Sequence, residues 1–371
     1  MIKQIYLDYN ATVPILKEVK KSLIDCMDVG PLNPSSIHYY GRKGKEIIDI
    51  AKINIGELVN TNKNNIIFTS SATEAINLIF SNFENIIVSS IEHLAVLSSS
   101  RSNHIIPVNQ DGIVDLNSLE LYLKKNVTNN IQILISVMWV NNETGVIQPI
   151  KDVIKIAKKY DCLVHCDAAQ ALGRIKINLE EMELDFLTIS GHKIGAPSGI
   201  GALVYNDKIN LMPQILGGGQ EKGMRAGTEN ILGIKGFGEA ARLIKTKGNN
   251  CSEVEFLRDY FQNKIKSLSP ETIIFGEKSD RVANTILMAL PKVPGDLALM
   301  KLDLECFSVS SGSACSSGKI SKSHVVNAMG YEKLASNSVR FSFPPNDTFL
   351  KAENLITTKE LDRLARCWSN L

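Results

Sequence analysis

Short runs of consecutive apolar residues punctuate the chain up to residue 205, over 66–69, 86–89, 131–137, 163–167, 186–190 and 202–205. They have no solvated face, so each predicts a buried strand. Between them, apolar residues recur at helical spacing over 73–83, 93–100, 116–124 and 150–160. Strand and helix alternating in this way predict a mostly parallel sheet with helices on both faces. In such a sheet the ligand sits beyond the carboxyl ends of the strands. Two helices, over 15–27 and 41–58, precede the first strand, separated by a loop of turn residues at 33–38. Pro14 closes a short leading segment, 1–14.

Near Asn230 the texture changes. A long helix over 231–244 runs into the polar stretch 245–250, which reads as a domain boundary. Beyond it, helices over 254–268, 296–304 and 359–368 mix with short strands over 273–275, 285–288 and 339–343, the pattern of a smaller α+β domain. The chain of 371 residues is long enough for two or three domains. Its 41 basic and 39 acidic residues, net +2, leave no basic stripe for nucleic acid or an acidic membrane. No apolar run approaches the roughly 18 residues of a membrane span. The first residues carry no signal-peptide core. Seven scattered cysteines fit reduced thiols, so a cytoplasmic protein is expected.

Two positions suggest chemistry. Lys193, in Ser190-Gly191-His192-Lys193, follows the strand over 186–190, and Asp167 ends the strand over 163–167. Lysines are usually solvated. One at the rim of a buried sheet is partly desolvated, which disfavours the ammonium and makes the amine a usable nucleophile. A lysine and an aspartate at strand ends of one sheet meet the needs of a pyridoxal-phosphate site: the amine carries the cofactor, and the carboxylate keeps the pyridine nitrogen protonated.

Other residues fit around this pair. Thr69-Ser70-Ser71-Ala72-Thr73-Glu74 joins a strand to a helix, which suits phosphate or an ordinary N-cap equally well. The Gly-rich loop from Gly217 to Thr228 carries Arg225 and Thr228 and is an anion-binding candidate. His93 follows a strand end, where it can stack on a flat ring or move protons. Asn142 lies in a strand-end turn. Arg340 lies within an apolar strand, where its fork needs a carboxylate. Cys315 sits among Ser and Gly, a setting in which a thiolate can meet a substrate. Cys162, His165 and Cys166 alternate along a strand without zinc-site spacing, so no metal is expected.

Taken in order, these segments resemble cysteine desulfurases, the NifS/IscS-like group within the class V aminotransferase family of pyridoxal-phosphate enzymes. The resemblance runs nearly end to end. It rests on Tyr6 to Thr12, Asn33-Pro34-Ser35-Ser36, Ala72-Thr73-Glu74, Glu92-His93, Val140 to Gly145, Asp167-Ala168-Ala169-Gln170, Ser190 to Lys193, Arg225 to Thr228 and Ser311 to Cys315. Each is weak alone; their joint order is specific.

The resemblance implies an α/β, fold-type-I transferase with a mostly parallel seven-stranded sheet and a smaller α+β domain. Residues 1–14 would pack with the small domain, 15–245 form the large cofactor domain, and 246–371 form the small domain with the Cys loop. Lys193 would carry pyridoxal 5'-phosphate, Asp167 pair with its ring nitrogen, Gln170 contact its ring oxygen and His93 stack on it. Ala72, Thr73, Ser190 and His192 would hold the phosphate, with Thr228 from the partner of a homodimer. Asn10, Asn142 and Arg340 would bind the substrate, L-cysteine, and Cys315 would accept its sulfur for an iron–sulfur scaffold or thiolation protein. A class V aminotransferase, a selenocysteine lyase or a non-catalytic assembly subunit are the alternatives. The chain departs from the family at Ser71, usually Gly, at Lys222, commonly Arg, and at Ser198, often Lys. Its stretch after Arg340 is short, which leaves the acceptor open.

Overall fold

The apolar runs form strands in a computed structural model that describes residues 3–99, 103–127, 132–206, 208–312, 322–353 and 356–371. In chain order the strands are β1 (Ile5–Tyr6), β2 (Ile66–Thr69), β3 (Asn85–Ser89), β4 (Asn103–Ile106), β5 (Ile133–Ser136), β6 (Leu163–Asp167), β7 (Phe186–Ser190), β8 (Gly201–Tyr205), β9 (Ile273–Ile274), β10 (Thr285–Ala289), β11 (Phe307–Ser308), β12 (Ser310–Ser311) and β13 (Ser338–Ser342). The α-helices are α1 (Lys17–Met27), α2 (Tyr39–Val59), α3 (Ala72–Phe80), α4 (Leu94–Leu97), α5 (Leu116–Asn126), α6 (Ile150–Lys159), α7 (Ile231–Lys247), α8 (Ser252–Leu268), α9 (Gly295–Leu304), α10 (His324–Ala328), α11 (Asp347–Glu353) and α12 (Thr358–Ser369).

Seven strands make the large sheet, in the order β2-β8-β7-β6-β5-β3-β4. β8 is antiparallel to both its neighbours, and every other adjacent pair is parallel. All strands but β8 therefore end on one edge. Both faces are covered, which is why the runs are continuously apolar. On β3, Ile86 and Val88 pack with Ile76 and Ile79 of α3, while Ile87 joins the opposite core with Val153 of α6 and Phe237 of α7. α6 shows the matching helical stripe, burying Ile150, Val153, Ile154 and Ala157. Each fully buried Ile or Val contributes about 1.5–3 kcal/mol. α2 and α7 approach closely because Gly238 has no side chain: a Cβ there would stand 2.5 Å from Ala51 Cα.

A four-stranded antiparallel sheet, β12-β13-β10-β9, forms a second layer packed with α8 and α12. Ile5 and Leu7 join its core, and β1 pairs in parallel with β11. Thr357 and Glu360 close a capping box at the start of α12.

Some expectations shift. The strand pattern misses β4, an edge strand whose Ile105 is exposed, so the usual apolar signal is halved. The helix expected over 93–100 is only α4, four residues long, with His93 outside it as N-cap. α3 stops at Phe80 rather than 83. β5 begins at Ile133, and residue 131 lies outside the described residues. His165 packs edge-on to Phe80, whereas Cys162 and Cys166 face the opposite core. Among the described residues, no cluster could hold a metal ion and no helix is long and apolar enough to cross a membrane.

Candidate active site

The carboxyl edge of the large sheet gathers polar groups that an apolar core would otherwise exclude. Ser89, Ser136, Asp167 and Ser190 end β3, β5, β6 and β7, and all are buried. Lys193 lies in a short 3-10 turn, Gly191–Ile194, directly after β7. Its Nζ donates to the backbone oxygens of Asn10 at 2.6 Å and Ala11 at 2.9 Å. Asp167 accepts from the Ala169 N–H at 2.9 Å. Burial pushes the Asp167 carboxyl above its usual range, while that hydrogen bond and the nearby His93 and Lys193 pull it down. The lysine and the aspartate therefore share one site. A buried carboxylate held up in this way gains most from a cation beside it.

Asn10 ties the surroundings together. Its Nδ2 donates to Thr285 Oγ1 at 2.9 Å and the Asn142 backbone oxygen at 3.2 Å, and its Oδ1 accepts from Asn284 at 3.1 Å. Its backbone oxygen also accepts from Gln170 Nε2 at 2.9 Å. Arg340 lies next to this cluster on β13 and donates to Asp8 Oδ1 at 2.7 Å and the Asn142 backbone oxygen at 2.9 Å. The carboxylate its sequence setting required is therefore Asp8. Asn142 Oδ1, Gln170 Oε1 and Arg340 Nε are buried without a hydrogen-bond partner.

At the sheet's far end, Thr69 and Ser190 flank Gly201 across three strands. A Cβ at Gly201 would come within 2.7 Å of Ala72 N, so only glycine admits the start of α3 this close. Ser71 has extended backbone, φ −168, and caps α3 by accepting from Glu74 N at 3.1 Å. Its conformation needs no glycine, so the departure from the family at this position costs no strain. Thr73 lies exposed in the first turn of α3. His192 Nδ1 is 3.3 Å from Thr12 Oγ1, and burial, with Lys193 and Arg174 nearby, pushes its pKa down to about 4.

Thr228, expected from a partner subunit, is exposed on its loop. One expectation is placed differently. Arg225 is engaged by Glu74, through Nε–Oε1 at 2.9 Å and Nη2–Oε2 at 3.4 Å, so its fork meets a carboxylate of this chain rather than an open anion site. Cys315 lies outside the described residues, within 313–321.

Several groups escaped the sequence reading. Glu92 is fully buried beside Asp167, and burial pushes its carboxyl up to about 8. Its Oε1 accepts from Ser89 Oγ at 2.5 Å and Met138 N at 2.8 Å. Glu143 is buried against Ser323 Oγ, and burial raises its pKa too. Arg174 is buried with Nε and Nη1 unpartnered and Nη2 3.4 Å from Asn10 Oδ1. Burial pushes it down to about 9. Glu92 adjoins His93 in a segment already singled out, but nothing in sequence separates a buried carboxylate from a solvated one.

The donor set fits pyridoxal phosphate. A primary amine, a buried carboxylate and a helix start with a close-approach glycine face one edge. Buried amide and guanidinium atoms without partners lie beside them.

Comparisons with known proteins agree with this geometry. Residues 5–355 match the family described as aminotransferase class-V. The chain is 37% identical to the cysteine desulfurase IscS of Dictyoglomus turgidum, over 97% of this chain and 92% of that protein. It is 36% identical to cysteine desulfurase IscS 1 of Archaeoglobus fulgidus, over 88% of this chain and 87% of that one. The X-ray structure of a NifS-like protein from Rickettsia africae superposes with a TM-score of 0.89 at 36% identity, covering 99% of each chain.

Proposed function

The chain belongs to the class-V aminotransferase family, and on that premise we propose that it is a pyridoxal-phosphate-dependent cysteine desulfurase. It would convert L-cysteine to L-alanine and keep the sulfur as a persulfide on Cys315. The observation that carries this reading is the placement of Lys193 and Asp167 at one sheet edge, beside Asn142 and Arg340.

Pyridoxal phosphate, when bound, supplies a ring that accepts the electron pair left by a departing proton. Lys193 would hold it through its amine, and the same amine, when free, would serve as the base for the Cα proton. Asp167 keeps a positive charge on the ring nitrogen. Gln170 would contact the ring oxygen and His93 would stack on the ring face. Ala72, Thr73, Ser190 and His192 serve the phosphate, with Thr228 from a second copy in a homodimer. Arg340 offers its unpartnered Nε, and Asn142 its side chain, to the substrate carboxylate. The Cys315 thiolate attacks the substrate sulfur: an S–S bond forms as the C–S bond breaks, and the substrate carbon takes up a proton. The persulfide then passes to an acceptor protein. Residues 15–245 are the cofactor domain in this reading, and 246–371, joined by 1–14, the domain that brings the thiol.

The test incubates the purified protein with L-cysteine and a reductant and measures alanine and sulfide together. Equal release of both is expected. Cys315→Ala should keep the cofactor's visible absorbance and lose the persulfide. Alanine release by that variant at the wild-type rate would remove the thiol from the mechanism, and a keto-acid product would indicate an aminotransferase.

A further inference from the structure

Glu221 and Lys222 are consecutive non-glycine residues in left-handed backbone, with φ 46 and φ 58. Such a pair persists only where its surroundings enforce it. Here the enforcement is visible. The Glu221 carboxylate is buried and receives Lys52 Nζ of α2 at 2.6 Å. The same oxygen, Oε2, accepts the Phe68 N–H at 3.1 Å. β2 is an edge strand of the large sheet, and this bond satisfies a backbone donor on that edge. Two residues further on, the Ser70 N–H is taken by Glu74 Oε2 at 2.9 Å, and Glu74 is gripped by Arg225 of the same Gly-rich loop. The loop thus holds the two elements that flank the turn, β2 through Glu221 and the first turn of α3 through Arg225. That turn leads into Ala72 and Thr73 at the start of α3.

We propose that Lys52 and Glu221 are positioning residues for the phosphate end of the cofactor site: the ion pair locks the Gly-rich loop in its left-handed form, and the loop sets the 69–74 turn that receives the phosphate. This rests on reading the site as one for pyridoxal phosphate. Neither side chain would touch the cofactor. Their effect passes directly through the Phe68 N–H, and through the loop's Arg225 and Glu74 to the Ser70 N–H, so it belongs to the phosphate and not to the ring.

The test titrates the full-length, cofactor-depleted protein with pyridoxal phosphate and, separately, with pyridoxal, which lacks the phosphate, and follows thermal unfolding alongside. Glu221→Gln should weaken pyridoxal phosphate by about tenfold or more and leave pyridoxal unchanged. Lys52→Arg, which keeps the pair, should bind both as wild type does. Lys52→Met with Glu221→Leu replaces a buried pair by apolar groups, an exchange that commonly preserves stability. This double variant should stay folded and lose the preference for the phosphorylated ligand. Wild-type preference in the double variant, or equal loss of both ligands in Glu221→Gln, overturns the proposal. A wild-type protein that binds neither ligand overturns it together with the reading of the site.

Discussion

The Lys193 amine is 2.6 Å from the Asn10 backbone oxygen, and the Asn10 side chain is itself held by Thr285, Asn284 and the Asn142 backbone. A residue near the start of the chain therefore holds the lysine of the large sheet against the four-stranded sheet. Asn10→Ala should destabilise the protein by about 1–3 kcal/mol, because it leaves buried donors and acceptors unmatched. Urea unfolding measures this. Wild-type stability would show that the cluster does not depend on Asn10.

Asp167→Asn keeps the volume and removes the charge. A hydrogen bond to a charged group contributes about 1.5–3 kcal/mol, so turnover of cysteine should fall by about 10- to 150-fold. The cofactor's absorbance should persist, since Lys193 remains. A variant with unchanged kcat would show that the ring nitrogen needs no buried anion.

Arg340 joins Asp8 to the Asn142 carbonyl with a planar fork. Arg340→Lys replaces two separated guanidinium nitrogens by one, losing the fork geometry that bridges Asp8 and the Asn142 carbonyl and offers a further donor to a carboxylate. KM for cysteine is expected to rise by about tenfold or more, with cofactor affinity little changed. An unaltered KM would place substrate recognition elsewhere.

From two buried groups, stability should decline below about pH 4.5 and again between about pH 6.5 and 8, their opposite slopes cancelling in between. Burial pushes His165 from 6.5 down to about 3, so the folded protein refuses a proton that the unfolded chain accepts. The stabilisation is present above 6.5 and is lost as pH falls toward 3. Burial pushes Glu92 from 4.5 up to about 8, so the fold keeps a proton that the unfolded chain releases. That stabilisation is present below 4.5 and is lost as pH rises through 8. Each group contributes a slope of at most about 1.4 kcal/mol per pH unit. Glu92→Gln should flatten the decline between about pH 6.5 and 8 in urea midpoints. An unchanged slope would assign it to another group.

The large sheet was legible because its strands are buried on both faces, and burial writes itself into sequence as unbroken Ile, Val and Leu. β4 was not legible, because an edge strand needs only one apolar face. Lys193 and Asp167 were singled out because each stands at or just after the end of a strand, marked by the change from apolar to polar residues. Arg225 was misread as open to an anion: its partner, Glu74, lies far away along the chain, and only folding brings the two together.

By itself, the sequence determined the alternation of strands and helices, the edge at which chemistry collects, and the order of motifs that matches a known family. Only the tertiary structure decided which charges meet. It set Arg340 on Asp8, Lys52 on Glu221 and Lys193 on the Asn10 carbonyl. Periodicity is a local property that each segment carries alone. The ionisation and pairing of a buried group depend on what the rest of the chain packs around it, and no local pattern encodes that.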